Sequence, residues 1–420
     1  MKTRAGLIGL ALTGALVLAG CDLTRTRVLV WHDWPEPEAE VLVELLDAYS
    51  ELDPDLRLIV EYVPAEELET RFADETRSGF GPDVLIGVDA GRLADLVAED
   101  AVHLISTGQV DRYGFDDLEA RAVQAMEIDD RRFGVPLAGF TNVLYYREGI
   151  DPPLTLDDIV ALAEDGYTTG IPVDLFRSYW GVDAFAGSVF GEEETLDPDR
   201  GFVDWMEWLV EARPHPNIIL DADYDTLRDL FAEGRLDLFI GDSSELGTFR
   251  TELLEASRAT GAGTGESPSG PEVSLVGDPT DVTFGLATLP GEENDAPGGF
   301  LDVEGMVVNR HTDNLDESLA LLAYLTNVPS QGRIARSGVG RIPINDAVSI
   351  DPTISPLEAA LVRQQRRSVV LPRTFQDHQT ELSTIGNEVL LQVTRGLVEP
   401  AAAADLLRDR YLETRDAGDG

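Results

Sequence analysis

The sequence has almost no cysteine and almost no lysine. Cys21 is the single cysteine and Lys2 the single lysine among 420 residues. One cysteine cannot form a disulfide within the chain or a thiolate cluster for a metal ion. Because the single lysine is at position 2, the rest of the chain has no lysine for a phosphate-binding loop of the G-x-x-x-x-G-K-[ST] type or for a Schiff base.

Histidine is also scarce. The five histidines are His32, His103, His215, His311 and His378. No two of them lie four residues apart, so the helical His-Glu-x-x-His signature of a zinc site is absent. The sequence therefore predicts no metal site and no cofactor.

Basic residues are also few in comparison with acidic residues. The chain carries 32 lysine and arginine residues against 78 acidic ones, for a net charge of -46. Such a field repels nucleic acid and anionic lipid, so nucleic acid is not an expected partner. The acidic residues are dispersed and 43% of the chain is hydrophobic, which is typical of a globular protein with a strongly hydrated surface. A surface suited to saline surroundings is one interpretation, and attraction of cationic ligands is the other.

The first 20 residues have the layout of an export signal. Lys2 and Arg4 precede an apolar run from Leu7 to Ala19, which is too short for a membrane-spanning helix. The run ends in Leu-Ala-Gly-Cys, which resembles a bacterial lipoprotein cleavage box. This resemblance implies that residues 1–20 are removed, that Cys21 is acylated, and that residues 21–27 form a short tether. The chain would then be exported and lipid-anchored to the cell membrane, facing the periplasm or the exterior. An ordinary signal peptide with a chance cysteine is the alternative.

The rest of the chain alternates short apolar runs with amphipathic stretches, which predicts an α/β fold in two domains. Strands are expected at Arg27–Trp31, Leu56–Tyr62, Val84–Val88, Phe140–Arg147, Leu236–Ile240, Phe284–Leu289 and Gly305–Asn309. Helices are expected at Glu38–Leu52, Glu66–Arg77, Leu156–Glu164, Trp180–Phe190, Gly201–Ala212, Tyr224–Glu233, Leu315–Thr326, Pro356–Arg366, Ser383–Arg395 and Ala401–Tyr411.

One short motif raises the possibility of an enzyme. Gly241-Asp242-Ser243-Ser244 follows a predicted strand and resembles the nucleophile block of the Gly-Asp-Ser-Leu esterases. That block lies near the start of its domain and has an Asp-x-x-His partner near the end, and neither condition holds here. A secreted hydrolase using Ser243 or paired carboxylates stays an alternative, but no catalytic residue is assigned and a non-enzyme is expected.

Several stretches together resemble one family, in the same order along the chain. They are RVLVWHDW, SGFGPDVLIGVDA, RRFGVPLAGFTNVLYYREGI, LFAEGRLDLFIGDSSEL, VTFGLATLPG, GGFLDVEGMVVNRHTDNLDESLALLAYLTN and SQGRIARSGVGRIPIND. The family is the bacterial extracellular solute-binding proteins of the maltose-binding type, which serve ATP-driven (ABC) importers. The resemblance implies two α/β lobes of the type II periplasmic-binding-protein fold, each a mixed sheet flanked by helices, which close on a ligand in the cleft between them.

The resemblance also implies a division of the chain and a function. Lobe 1 is expected at 28–140 plus 290–335, and lobe 2 at 141–289 plus 336–420. The protein would be a monomer that captures a small polar solute, most simply a sugar or oligosaccharide, and delivers it to an integral-membrane ABC permease. A sensing or interaction lipoprotein with the same fold is a further alternative.

Candidate ligand contacts follow from the strand ends and crossing segments that the resemblance implies. Trp34 is a candidate aromatic platform for a sugar face, with packing in the core as the alternative, and charged or amide side chains would bind the hydroxyls of the sugar. Arg177 and the Asp242–Ser243 pair depart from the family pattern, so a polyol or glycerol phosphate also stays open as a ligand. The full set is Asp33, Trp34, Glu36, Asp89, Arg92, Phe140, Thr141, Asn142, Arg177, Tyr179, Trp180, Asp242, Ser243, Glu304, Arg341 and Arg373.

Overall fold

A computed structural model describes residues 25–191, 195–251, 284–293, 295–372, 375 and 378–418. The first of its two large sheets has six strands, in the spatial order β13-β6-β12-β3-β1-β2. These strands are β1 (Thr26–His32), β2 (Leu56–Tyr62), β3 (Val84–Val88), β6 (Gly134–Phe140), β12 (Asp302–Val308) and β13 (Ile342–Pro343). β1 pairs in parallel with β2 and β3, whereas β12 runs antiparallel to both β3 and β6.

The second sheet has five strands, in the spatial order β11-β7-β10-β8-β9. They are β7 (Asn142–Arg147), β8 (Thr169–Pro172), β9 (Ile218–Asp221), β10 (Leu238–Asp242) and β11 (Phe284–Ala287). A small hairpin of β4 (Glu127–Ile128) and β5 (Arg131–Arg132) lies apart from both sheets, and Asp129 and Asp130 at its turn have positive φ, as a type I′ turn requires.

Helices flank both sheets. In the first half of the chain they are α1 (Ala39–Leu52), α2 (Ala65–Arg77), α3 (Ala90–Ala98), α4 (Thr107–Tyr113), α5 (Ala120–Ala125), α6 (Leu156–Glu164), α7 (Tyr179–Ala184) and α8 (Arg200–Ala212). After them come α9 (Tyr224–Ala232), α10 (Leu315–Thr326), α11 (Val328–Arg336), α12 (Pro356–Gln365), α13 (Gln379–Thr394) and α14 (Pro400–Gly418). The predicted α/β fold of two sheets flanked by helices is confirmed.

Each sheet has its own hydrophobic core. One buried cluster surrounds the first sheet and includes Trp31, Leu42 and Phe72. Two clusters cover the faces of the second sheet, one around Trp180 and Trp205, the other around aromatic side chains of β7, β10 and α9. Separate cores divide the described chain into two bodies, one built on each sheet.

The described part of the chain passes between the bodies at three places. The first crossing is at Thr141. β6, which the sequence did not predict, ends at Phe140 in the first sheet, and β7, which covers all but the first two residues of the predicted strand Phe140–Arg147, begins at Asn142 in the second. The segment between β11 and β12 makes the return crossing. The third passage follows β13, because α12 packs against β11 of the second sheet. The change of lobe expected at residue 336 therefore falls before a strand that still belongs to the first sheet.

Candidate functional site

A cavity of about 330 Å³ lies where the two bodies meet. Its floor is formed by the crossing segments, and its walls carry side chains from both sheets. The lining residues include Phe140, Thr141, Asn142, Asp174, Phe176, Arg177, Asp242, Phe300, Asp302, Gln379, Ser383 and Asn387. This position, at strand ends between two α/β bodies, is where such folds bind ligands.

The wall from the second body is organised by one arginine. Arg177 donates to Asp174 at 3.1 Å and to Asp242 at 3.0 Å, and its guanidinium lies 4.1 Å from the centre of the Tyr224 ring. Asn142 completes the wall by donating to Asp242 at 3.4 Å. Burial raises the pKa of Asp242, although Arg177 opposes this shift. The wall therefore presents planar polar groups in fixed orientations, which suit the recognition of vicinal hydroxyls.

The apolar part of the cavity is aromatic. Phe140, Phe176 and Phe300 line it. Phe300 packs against Tyr179 and Phe176, with ring centres 4.3 and 5.0 Å apart and the ring planes tilted relative to each other. These neighbours hold the Phe300 ring in one orientation, so that it offers a flat apolar face to a ligand.

The first body contributes a second ion-pair network near the cleft. Arg92 donates to Asp33 at 3.0 Å and to the carbonyl oxygen of Gly87 at 2.7 Å. Asp89 caps α3 by accepting from the Arg92 backbone N–H at 2.8 Å. Burial raises the pKa of Asp33 to about 6, with a further contribution from Glu304, while Arg92 opposes the shift.

Asp302 is a carboxylate of the cleft that has no ion-pair partner among the described residues. Asp302 is the first residue of β12, and its side chain lines the cavity. Burial, together with the charges of Asp89 and Asp242, raises the pKa of Asp302 to about 6. Among the described residues no arginine forms an ion pair with it, so the carboxylate is free to accept hydrogen bonds from a ligand.

A buried network lies behind the first wall. The Arg341 guanidinium lies 3.7 Å from the centre of the Trp34 ring and forms ion pairs with Glu304, at 3.1 Å, and with Glu38. The Trp34 indole N–H donates to Glu304 at 2.6 Å. Phe140 lies on the far side, 5.4 Å from the guanidinium, and connects this network to the cavity.

Comparison with protein families identifies the chain. A family model described as bacterial extracellular solute-binding protein matches residues 34–332. The chain belongs to this family. The family that the order of the sequence motifs predicted for this solute-binding protein is therefore confirmed.

Curated relatives of this solute-binding protein are sugar-binding proteins by name. It is 23% identical to the maltotriose-binding protein of Pyrococcus abyssi over 350 residues, which cover 78% of this chain and 68% of the relative. It is 20% identical to the galactooligosaccharide-binding protein of Bacillus subtilis over 404 residues, which cover 90% and 87%.

A solved structure shows the same fold. The maltose-binding periplasmic protein MalE of Listeria monocytogenes, in complex with maltose, superposes with a TM-score of 0.72 at 19% identity. The match covers 92% of this chain and 98% of that one, so the two-lobed architecture extends over nearly the whole solute-binding protein.

The structure brings together about half of the predicted contacts of this solute-binding protein. Those that line the first cavity are Phe140, Thr141, Asn142, Arg177 and Asp242, and Asp89 lines an adjoining one. Asp33 and Arg92 pair with each other nearby. Glu36 is exposed and lines neither cavity. Arg373, Cys21 and the signal segment at 1–20 lie outside the described residues.

Other predicted contacts are buried away from the cavity, and here the sequence interpretation needs correction. Trp34 is fully buried, with the Arg341 guanidinium over its ring and its N–H bound to Glu304, so it offers no open platform in this conformation. Glu304 and Arg341 are partners in the same network. Trp180 packs in the core against Trp205, and Tyr179 lies behind Phe300.

Ser243 is also buried, which bears on the hydrolase alternative. Its side chain is fully enclosed, and its Oγ accepts a hydrogen bond from the Thr141 backbone N–H at 3.3 Å. A nucleophile needs an adjacent base and access to substrate. In the described part of the chain no histidine forms a hydrogen bond with Ser243, and a role in holding the first crossing segment accounts for its position.

Several cavity residues were not predicted from the sequence. They are Asp174, Phe176, Phe300, Asp302, Gln379, Ser383 and Asn387. Phe300 and Asp302 could have been found, because they lie just before and at the beginning of β12, the strand that follows the second crossing. Gln379, Ser383 and Asn387 lie on one helix at four-residue spacing, but their sequence pattern does not show which body that helix packs against.

Two absences complete the description. Nowhere in the described ranges do three histidine, cysteine or acidic side chains converge to hold a metal ion. Among the helices that the structure describes, none has the length and apolar character needed to cross a bilayer.

Proposed function

We propose that this protein is the sugar-binding receptor of an ABC importer, and that it closes its two bodies on an oligosaccharide and delivers it to a membrane permease. The observation that carries the proposal is the cavity itself, where a fixed phenylalanine face adjoins planar polar groups from both bodies. The names of the relatives, which bind maltotriose and galactooligosaccharides, support a sugar. A ligand that contacts both bodies only when they are closed would shift the population toward the closed state.

The charge of the cleft favours a neutral ligand over an anionic one. Arg177 and Arg92, the cations at the two walls, each already bind two carboxylates. Asp302 has no cation of its own among the described residues. A phosphate or carboxylate on the ligand would meet repulsion here, so glycerol phosphate is disfavoured.

Ligand screening tests the proposed function. Thermal unfolding of the domain without its signal segment would be followed with glucosides, galactosides, polyols and glycerol phosphate at equal concentrations. A bound ligand stabilises the folded state by RT ln(1 + [L]/Kd), or about 2.7 kcal/mol at 100 times Kd. We expect a neutral saccharide to raise the midpoint and glycerol phosphate to leave it unchanged. If no saccharide raised it, the sugar proposal would be wrong.

Replacing Phe300 with leucine tests the aromatic face. Leucine keeps much of the apolar volume but removes the flat ring, so we expect saccharide binding to weaken by about 0.5–1.5 kcal/mol. Phe190→Leu is the matched control. Phe190 belongs to the same aromatic cluster, 6.2 Å from Phe300, but does not line the cavity. Calorimetric titration should show weaker binding for the first variant only, and an equal loss in both would mean that the effect is structural.

We further propose that a lipid on Cys21 anchors the receptor beside its permease. A tether replaces free diffusion by a high local concentration, and the Leu-Ala-Gly-Cys sequence supports such an anchor. Cys21→Ser should therefore move the protein from the membrane fraction to the soluble fraction of the producing cells. Unchanged membrane association of that variant would contradict the anchor and leave the cavity proposal intact.

A further inference from the structure

A second cavity adjoins the first. It has a volume of about 700 Å³ and runs along α3 toward the β4–β5 hairpin. Its lining residues are Asp89, Gly91, Ala94, Asp95, Val97, Ala98, Ile128, Asp129, Asp302, Gln379 and Thr380. Only Asp302 and Gln379, among the described residues, line both cavities. These two side chains therefore mark the passage from one cavity to the other.

The two residues come from different bodies. Asp302 begins β12 and is paired with Phe140 in the first sheet. Gln379 begins α13, which is packed into the core of the second body through Leu382 and Ile385. A ligand group held between Asp302 and Gln379 would therefore contact both bodies at once, as closure requires.

Both side chains have unused hydrogen-bonding capacity. The one hydrogen bond recorded for the Asp302 carboxylate comes from the Val303 backbone N–H at 2.9 Å. The Gln379 amide has no partner in the described part of the chain, and it both donates and accepts. An ionised carboxylate and an amide that line the same passage can bind hydroxyls of one sugar unit.

The polar surface continues along α13. Gln379, Ser383 and Asn387 are four residues apart, so they lie along one side of the helix and line the first cavity. Asn387 is fixed in place because its Oδ1 accepts from the Leu175 backbone N–H at 2.7 Å, and its amide donates to Ser383 at 3.4 Å. Eight residues of helix rise about 12 Å, which exceeds the length of a single sugar ring.

We propose that the ligand is an oligosaccharide of at least three units that extends through both cavities, and that Asp302 and Gln379 bind the hydroxyls of the unit in the passage between them. This inference rests on the proposed function, since it concerns the same cleft. It adds a lower limit to ligand length and assigns specificity to two residues. The carboxylates of the second cavity accept from hydroxyl groups and oppose uronic or phosphorylated units.

The test is calorimetric titration with two series of neutral sugars, glucose to maltotetraose and galactose to β-galactotetraose, at pH 7.5 so that Asp302 is ionised. We expect the better series to gain at least tenfold in affinity between the monosaccharide and the trisaccharide. Asp302→Asn and Gln379→Ala should each lower trisaccharide affinity about 5–10-fold, and the loss for the monosaccharide should be clearly smaller.

Thr384→Ala is the matched control on α13. The Thr384 hydroxyl donates to the Thr380 carbonyl at 2.9 Å, and the residue lines neither cavity. Its affinities should match those of the unaltered protein. Equal affinity for monosaccharides and trisaccharides, or equal losses for both in the two variants, would overturn the inference while leaving a sugar receptor. Failure of every sugar in both series to bind would overturn the proposed function and the inference together.

Discussion

Replacing Arg341 with methionine is expected to lower the free energy of unfolding by about 3–5 kcal/mol, because it leaves two enclosed carboxylates without their cation. The Arg341 side chain is only 6% exposed, and Glu304 is 12% exposed. The substitution also removes the guanidinium from the Trp34 ring and leaves the indole N–H bound to an uncompensated carboxylate. Urea unfolding of the two proteins at pH 7 measures the difference.

The chain offers a matched control for this prediction. Arg200 also contacts two carboxylates, Asp204 at 2.5 Å and Glu207 at 3.0 Å, but its side chain is 66% exposed. Exposed pairs contribute about 0–1 kcal/mol, so Arg200→Met should change stability little. Adding Glu304→Gln to the Arg341 variant should restore part of the loss, since it removes one of the unpaired charges. Equal effects at positions 341 and 200 would show that burial does not strengthen the network.

The sequence predicted the secondary structure well where one side of an element is buried. The spacing of Val41, Leu42, Leu45 and Leu46 indicated α1, and these residues are buried in the structure. It failed at the crossing, where the predicted strand Phe140–Arg147 contains β7 together with the last residue of β6, a strand that the sequence did not predict. Both strands are buried in the middle of a sheet, so no change in hydrophobicity marks the passage at Thr141.

The candidate site was harder to predict than the fold. A polar or aromatic residue at a strand end can face the cleft or be enclosed by another segment, and the sequence does not distinguish these cases. Trp34 shows the difficulty, because the side chain that covers it, Arg341, is about 300 positions away along the chain. Gln379 shows the converse, since its place in the cavity depends entirely on how α13 packs against the second body.

The return crossing contains a second position with a large expected effect, Gly298. Its backbone N–H donates to Asp183 at 2.6 Å, and a Cβ added there would lie 2.1 Å from the carbonyl oxygen of Arg367. Hydrogen bonds also connect this segment, before and after Gly298, to residues 364–369. The Gln364 amide donates to the Pro297 carbonyl at 2.8 Å, and the Leu301 N–H donates to the Val369 carbonyl at 2.7 Å.

Gly298→Ala should therefore force two backbone segments apart at the point where the bodies are joined. Overpacking against backbone, which cannot rotate away, is expected to cost about 1–3 kcal/mol of stability. Because the crossing sets how the two walls meet, we also expect saccharide affinity to fall about tenfold, which corresponds to a shift of about 1.4 kcal/mol in the closing equilibrium.

Gly299→Ala is the neighbouring control for this prediction. The nearest atom to its added Cβ would be the Thr141 hydroxyl oxygen, at 3.3 Å, which is a side-chain contact that small adjustments relieve. Urea unfolding and calorimetric titration of both variants would separate steric strain at one position from a general intolerance of the segment. Loss of stability at Gly298 without loss of affinity would mean that the crossing supports the fold but does not set the closed geometry. If the crossing controls binding, stability and saccharide affinity fall together at Gly298, and both fall much less at Gly299.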